Sequence, residues 1–235
     1  MNIFLSRIRN VIKNSVLYPF IKPIWSFYFK HTSKILMNKY AEKALVSLKF
    51  ILDKHHIVFW PDYGTLLGVY REHDFISHDC DIDIGAFCAD ALKVKAILHN
   101  SEFILSHQYS ICRKHDDQKI VQLTYKYHSL TIDIYFYEKI DDNTITTYQL
   151  HEVKPKQYDD RHQLMYQVYQ HDLPLSTFSF MYFKNVEYRV PMEIEKYLIT
   201  LYGENFMTPD PGYQEDILKY HRHPLDELYG LAQYN

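Results

Sequence analysis

Three aspartates at alternate positions, Asp79, Asp81 and Asp83, run through the segment Asp79-Cys80-Asp81-Ile82-Asp83-Ile84-Gly85. Alternate side chains of a strand share a face. Read as a strand over 80–86, the segment puts the carboxylates on one side and Cys80, Ile82, Ile84 and Ala86 on the other, where they can enter a core. Like charges in a row repel, and a divalent cation is the usual physical reason to tolerate them. Upstream stand Gly64-Thr65, an apolar run, Leu66-Leu67-Gly68-Val69, and Arg71. At a helix start, Gly64 lets backbone N–H groups approach an anion, Thr65 can cap the helix, and Arg71 can add a charge-assisted contact. The segment Leu130-Thr131-Ile132-Asp133-Ile134-Tyr135-Phe136 carries one carboxylate in mid-strand. If it neighbours 80–86, Asp133 comes within metal-sharing distance of Asp81 and Asp83. Such a trio beside a Gly-Thr helix start suits phosphate chemistry. Carboxylates hold Mg²⁺ through oxygen ligands, and Mg²⁺ keeps room for substrate phosphates. A bare pair of aspartates at i and i+2 is a weak sign; the apolar flanks, the Gly-Thr start and the mid-strand acid sharpen it.

These residues need a sheet with helices packed on it. A helix over 36–55 has Leu36, Tyr40, Ala44, Leu48, Ile51 and Leu52 on one side. A short strand, Ile57 to Trp60, ends at Pro61, and the chain turns at Gly64 into the next helix. After the acidic strand come a helix over 89–99 and strands over 103–109, 120–127 and 130–137. Asp141-Asp142-Asn143 signals a turn. Residues 144–188 resist assignment apart from a late hairpin over 176–188. Pro191 suits the first turn of a helix to Tyr202, with Gly203 as its cap. Short helices are expected over 216–220 and 225–234.

The 235 residues suffice for one domain with a sizeable core, and 47% apolar with 23% charged residues is the balance of a globular protein. Cys80, Cys88 and Cys112 form no CxxC pair, which favours a reduced, cytoplasmic setting and disfavours a thiolate metal site. The fourteen histidines show no paired ligand spacing. The first 41 residues hold seven of the 26 Lys and Arg and none of the 29 Asp and Glu, so the rest of the chain is acidic and a nucleic-acid partner is disfavoured. Near the N-terminus, Phe4, Leu5, Ile8, Val11, Ile12 and Val16 oppose Arg7, Arg9 and Lys13 at helical spacing. Pro19 and Pro23 interrupt the pattern, and an aromatic cluster from Trp25 to Phe29 follows. This segment suits the surface of an anionic membrane; packing on the body of the protein or on a second subunit is the other reading.

The stretch Asp62 to Gly85 resembles the signature of the LicD family, which includes fukutin and fukutin-related protein. The family pattern is approximately D-x-G-T-L-L-G-x-x-R, a short gap, then F-I-P-W-D-D-D-I-D-I-G. Here it stands as Asp62-Tyr63-Gly64-Thr65-Leu66-Leu67-Gly68-Val69-Tyr70-Arg71, then Phe75-Ile76-Ser77-His78-Asp79-Cys80-Asp81-Ile82-Asp83-Ile84-Gly85. Ser77-His78 replaces Pro-Trp and Cys80 replaces an acid. A weaker echo covers Val190 to Pro211, around Tyr202-Gly203. The first 35 residues and most of 140–188 lie outside the resemblance.

The resemblance implies a nucleotidyltransferase-like fold, and with the residue patterns above the expected class is α+β: a mixed sheet flanked by helices, with an N-terminal amphipathic helix and a C-terminal helical segment. The parts are the basic segment 1–35, the catalytic core 36–140, and 141–235 completing the acceptor side. It further implies transfer of a phospho-alcohol, phosphocholine or ribitol phosphate, from its CDP derivative to a hydroxyl of a cell-surface glycan or glycolipid precursor, on the cytoplasmic face of a membrane. Asp81 and Asp83 would be catalytic metal ligands for Mg²⁺ or Mn²⁺. Asp133 is the candidate third carboxylate, as a ligand or as the base for the acceptor hydroxyl. Gly64, Thr65 and Arg71 would hold the donor phosphates, and Asp62 either contacts the donor or caps the turn. A glycosyltransferase using its two aspartates on a nucleotide sugar is the rival reading, and a non-catalytic member of the fold is a third.

Overall fold

The computed structural model describes residues 18–113, 118–159, 163–210 and 222–234. The N-terminal amphipathic pattern over 4–16 and the short helix expected over 216–220 lie outside them. A long helix, α1 (Tyr18–Lys54), leads into β1 (Phe59–Pro61) and a short helix, α2 (Tyr63–Leu67), whose path continues as a wider turn over Gly68–Glu72. Then come β2 (Asp81–Phe87), α3 (Ala91–His99), β3 (Ile104–Cys112), β4 (Lys119–Tyr127) and β5 (Leu130–Lys139). The rest is β6 (Thr144–Tyr158), β7 (Leu164–Pro174), the hairpin β8 (Phe178–Phe183) and β9 (Val186–Pro191), α4 (Ile194–Tyr202) and β10 (Arg222–Tyr234).

The main sheet runs β1-β2-β5-β4-β3-β10-β7-β6, and β6 returns to pair with β5 through Glu138–Thr146 and Lys139–Ile145. The expected mixed sheet is therefore a closed barrel of six strands, with β2 and β1 added outside it along β5. The β2–β5 pair is parallel, and β2 meets β1 antiparallel. On one face of β2 and β5, Ile82, Ile84 and Ala86 join Ile132, Ile134 and Phe136, all wholly buried. Against them pack Ala41, Leu45, Leu48 and Leu52 of α1 and Val94 and Leu98 of α3. Burying each large aliphatic contributes roughly 1.5–3 kcal/mol, so this face fixes the register and turns the alternate residues, the aspartates, away from the core. A second cluster, with Trp60, Leu66, Tyr137, Tyr197 and Leu198, seats α2 and α4 beside the barrel.

Four expectations change. Helix α1 is continuous in backbone through Pro23 rather than interrupted there. The unassigned stretch 144–188 supplies β6, β7, β8 and the start of β9. Pro191 ends β9, and α4 starts at Ile194. Leu225 to Tyr234 is a strand, not a helix: β10 closes the barrel between β3 and β7. Its register slips between Leu225 and Tyr229, which breaks the alternation that identifies a strand in sequence. Among the described residues no helix is long and apolar enough to cross a membrane.

Candidate active site

Register brings the acids together. Asp83 pairs with Asp133 across β2 and β5, Asp133 with Thr124 across β5 and β4, and Thr124 with His107 across β4 and β3. The neighbouring row runs Asp81, Thr131, Lys126. Carboxylate oxygens of Asp81, Asp83 and Asp133 all lie within 4.8 Å of one another. One oxygen of Asp133, Oδ1, accepts hydrogen bonds from Gln122 Nε2 (2.9 Å) and from the Thr124 hydroxyl. The ladder thereby fixes the rotation of this carboxylate and leaves its second oxygen outside those bonds.

The Asp-x-Gly-Thr segment serves the site in a different way from that expected. Asp62 N–H donates to the Asp83 carbonyl (3.0 Å), and Asp83 N–H donates to Thr65 Oγ1 (2.9 Å). The start of α2 thus clamps both backbone groups of Asp83. The N-cap of α2 is Asp62, not Thr65. Asp62 is wholly buried and accepts from Tyr137 Oη (2.6 Å), Tyr197 Oη (2.9 Å) and Tyr63 N–H (2.9 Å). Neither it nor Thr65 is among the residues that line the cleft, and each has a structural role, Asp62 as N-cap and Thr65 as acceptor for Asp83 N–H. Arg71 is also turned away: its guanidinium donates to the Phe206 carbonyl (2.8 Å) and to Glu72 (2.7 Å). Gly64 does line the cleft. A Cβ there would land on Asp79 Oδ2, so a larger residue would have to displace that carboxylate, while Asp83 Oδ2 at 3.7 Å would remain in ordinary contact. Tyr63, just before it, holds a left-handed φ of 39°, a strain of about 1–3 kcal/mol kept at the site.

Burial sets the electrostatics. It pushes the Asp81 carboxyl up to about 7, with the charge of Asp79 adding to the rise. It raises Asp83 well above the usual carboxylate range, helped by the charges of Asp81, Asp79, Asp133 and Asp62. Burial raises Asp133 too, and the bonds from Thr124 and Gln122 pull it partly back. Crowded carboxylates whose ionised forms are this disfavoured gain most from a divalent cation. The set fits Mg²⁺: all its donors are oxygens, and they lie close enough for ligand distances of about 2.0–2.1 Å with small side-chain movements.

Asp79, Asp81 and Asp83 open onto a cleft of about 450 Å³ shared with Tyr63, Gly64, Gln122, Tyr135, Gln149 and Tyr202. Burial holds the phenols of Tyr135 and Tyr202 far above their usual range, so both stay protonated donors. Gln149 Nε2 donates to Tyr63 Oη (2.9 Å), tying β6 to α2 across the cleft floor. Sequence reasoning placed Asp79 on the acidic face but left it out of the catalytic set. It precedes β2, its Oδ1 accepts from Cys80 N–H (3.0 Å), and it lines the cleft beside Asp81. Cys80 is half-buried at the mouth of β2, not in the core, and its sulfur lies within 4.8 Å of oxygens of Asp79 and Asp81. Burial and the surrounding acids push its thiol up to about 12, so it is uncharged.

Fold and site together define a mixed α/β barrel protein with an oxygen-only site suited to a divalent cation. The chain belongs to the LicD family: residues 56–192, more than half its length, match the family described as LicD/FKTN/FKRP, nucleotidyltransferase domain. LicD is a family of transferases. The chain is also 36% identical over 69 residues to the uncharacterized protein RP689 of Rickettsia prowazekii (strain Madrid E), a match that takes in 27% of this chain and 26% of that protein. Among solved structures it is similar to the lincosamide antibiotic adenylyltransferase LnuA bound to lincomycin, with a TM-score of 0.39, 16% identity, and coverage of 64% of this chain and 79% of that one.

Proposed function

We propose that this protein transfers a phospho-alcohol, phosphocholine foremost, from a CDP-alcohol to a hydroxyl of a cell-surface glycan or glycolipid precursor, releasing CMP. The observation that carries the reading is the convergence of carboxylate oxygens of Asp81, Asp83 and Asp133, the first two of which line a cleft. Asp81, Asp83 and Asp133 would hold Mg²⁺ or Mn²⁺, which supplies charge neutralisation at the phosphates when bound. Gly64 leaves room for the donor beside them. Asp133, fixed by Gln122 and Thr124, is the candidate base for the acceptor's proton as well as a candidate ligand. Tyr63, Tyr135 and Tyr202 line the cleft and are the residues that would meet a choline ammonium by cation–π attraction, which by itself does not choose choline over ribitol.

The test is incubation with Mg²⁺ and labelled CDP-choline, CDP-ribitol, CDP-glycerol or UDP-sugars. Release of CMP from CDP-choline supports the proposal. Release from CDP-ribitol or CDP-glycerol changes the alcohol, UDP release supports a glycosyltransferase, and no release with any donor removes the enzyme reading. Attachment to an anionic, cytoplasmic membrane face through the basic segment 1–35 is proposed from its charge. Flotation with anionic vesicles tests it, and equal flotation of the chain with and without that segment overturns it.

A further inference from the structure

We propose that Lys126 is a phosphate-binding residue, holding the diphosphate of the nucleotide donor beside Asp81 and Asp133. The inference rests on the donor reading above. Lys126 on β4 pairs with Thr131 on β5, and Thr131 pairs with Asp81 on β2. The three side chains therefore leave the same face of the sheet, in a row whose strands lie about 4.8 Å apart. The Lys126 ammonium leans across toward β5 and donates to Thr131 Oγ1 at 2.5 Å. Its row leads through Thr131 to Asp81, Asp133 stands two residues along β5 from Thr131, and the charges of both acids act on the ammonium.

The hydrogen bond it makes is to a neutral hydroxyl. Burial holds the ammonium's pKa below its ordinary value, and the charges of Asp133 and Asp81 offset only part of that fall. Once a divalent cation engages those acids, their attraction for Lys126 is largely spent. An anionic oxygen is then the partner that best matches an ammonium with three donors. Arg71, the cation nearest in sequence to the Gly-Thr start, is already committed to Phe206 and Glu72. The positive charge for the phosphates comes instead from β4, on the opposite side of the carboxylates from α2.

Calorimetric titration of the full chain with CDP, and separately with inorganic pyrophosphate, both in the presence of Mg²⁺, tests the inference. Lys126→Met and Lys126→Gln should each weaken both ligands by about ten- to a hundredfold. Mn²⁺ affinity, read by electron paramagnetic resonance, should stay the same or tighten, because a repelling charge has gone. Lys126→Arg should keep most of the affinity for CDP. Wild-type affinity for CDP in both neutral variants overturns the assignment; so does a parallel loss of Mn²⁺ and CDP, which marks collapse of the carboxylate cluster. Wild-type protein that binds neither CDP nor pyrophosphate sinks the donor reading itself. Independently of any variant, CDP with Mg²⁺ should protect Lys126 of the wild-type protein from acetylation in a mass-spectrometric footprint, and absence of protection counts against the role.

Discussion

Asp83 and Asp133 face each other directly across the parallel pair β2–β5, in a register set on the reverse face by Ile82, Ile84, Ile132 and Ile134. A one-residue slip would swap the two faces and bury the acids. The core therefore builds the site. Asp83→Asn keeps the shape and removes one charge from the cation's ligand set. It should lower CMP release by at least about a hundredfold and weaken Mn²⁺ binding, with the melting temperature kept or raised, since a repelling buried charge is gone. Unchanged Mn²⁺ affinity would remove Asp83 from the ligand set.

Thr124 and Gln122 both donate to Oδ1 of Asp133. Groups that orient a ligand typically matter by ten- to a hundredfold in affinity. Thr124→Val keeps the side-chain shape and deletes one donor, so Mn²⁺ affinity should fall by about tenfold, and Thr124→Ser should restore it. A Thr124→Val chain that binds Mn²⁺ like wild type shows that Gln122 alone suffices to hold Asp133.

Asp62 separates a structural cap from a donor contact. Its carboxyl is pushed up to about 6 by burial, with hydrogen bonds from Tyr137, Tyr63 N–H and Tyr197 pulling it back. Removing the Tyr137 hydroxyl strips one donor from a wholly buried carboxylate. Tyr137→Phe should cost about 1–3 kcal/mol of stability in chemical denaturation while leaving the KM for the CDP-alcohol unchanged. A raised KM at unchanged stability would return Asp62 to the donor.

The core and the acid trio were legible in the sequence because they follow the simplest period, alternation in β2 and β5. The remainder of the site was not. Lys126, Thr124 and Gln122 alternate on β4 with Tyr125, Leu123 and Val121, a pattern that predicts a strand with one polar face but not which strand it pairs with. Asp62 and Thr65 carry signals for a cap and an anion site, and only the folded contacts show that the Asp62 carboxylate is taken by Tyr137 and Tyr197 and the Thr65 hydroxyl by Asp83 N–H. β10 was hidden by its bulge. At Gly230, where a Cβ would run into Leu150 across the barrel, the glycine reads in sequence as a breaker rather than a contact.

Gly64 leaves the Asp79 carboxylate its place in the cleft. Gly64→Ala places a methyl on Asp79 Oδ2, in a helix that clamps Asp83 through the neighbouring Thr65. Asp79 must swing out or α2 must lift from β2. CMP release should fall by about tenfold or more, as shifts of this size in a catalytic site do. In the double variant Gly64→Ala, Asp79→Ala the clash is absent, so a further loss there would show that Asp79 has its own role, while partial recovery would show that the clash alone was responsible.

The acid cluster also fixes how stability depends on pH. Asp81 rises from 3.8 in the unfolded chain to about 7 when folded, and Asp83 and Asp133 rise as well. Folded protein thus holds these protons more tightly than unfolded chain does. The Asp81 contribution is complete below its unfolded value of 3.8 and drains away as pH climbs through about 7, and those of Asp83 and Asp133 change in the same direction. In EDTA, the melting temperature should therefore be lower at about pH 8 than at about pH 5.5. Mg²⁺ should act in the opposite sense, because it binds the ionised acids and displaces their protons. At a hundred times its Kd it would add about 2.7 kcal/mol, roughly 5–10 °C for a chain of this size, and the gain should be larger at the higher pH. Melting curves with and without Mg²⁺ at both pH values decide the matter. An EDTA-treated protein that is more stable at the higher pH, or a Mg²⁺ gain that shrinks there, would mean that these carboxylates are not the ones a cation neutralises.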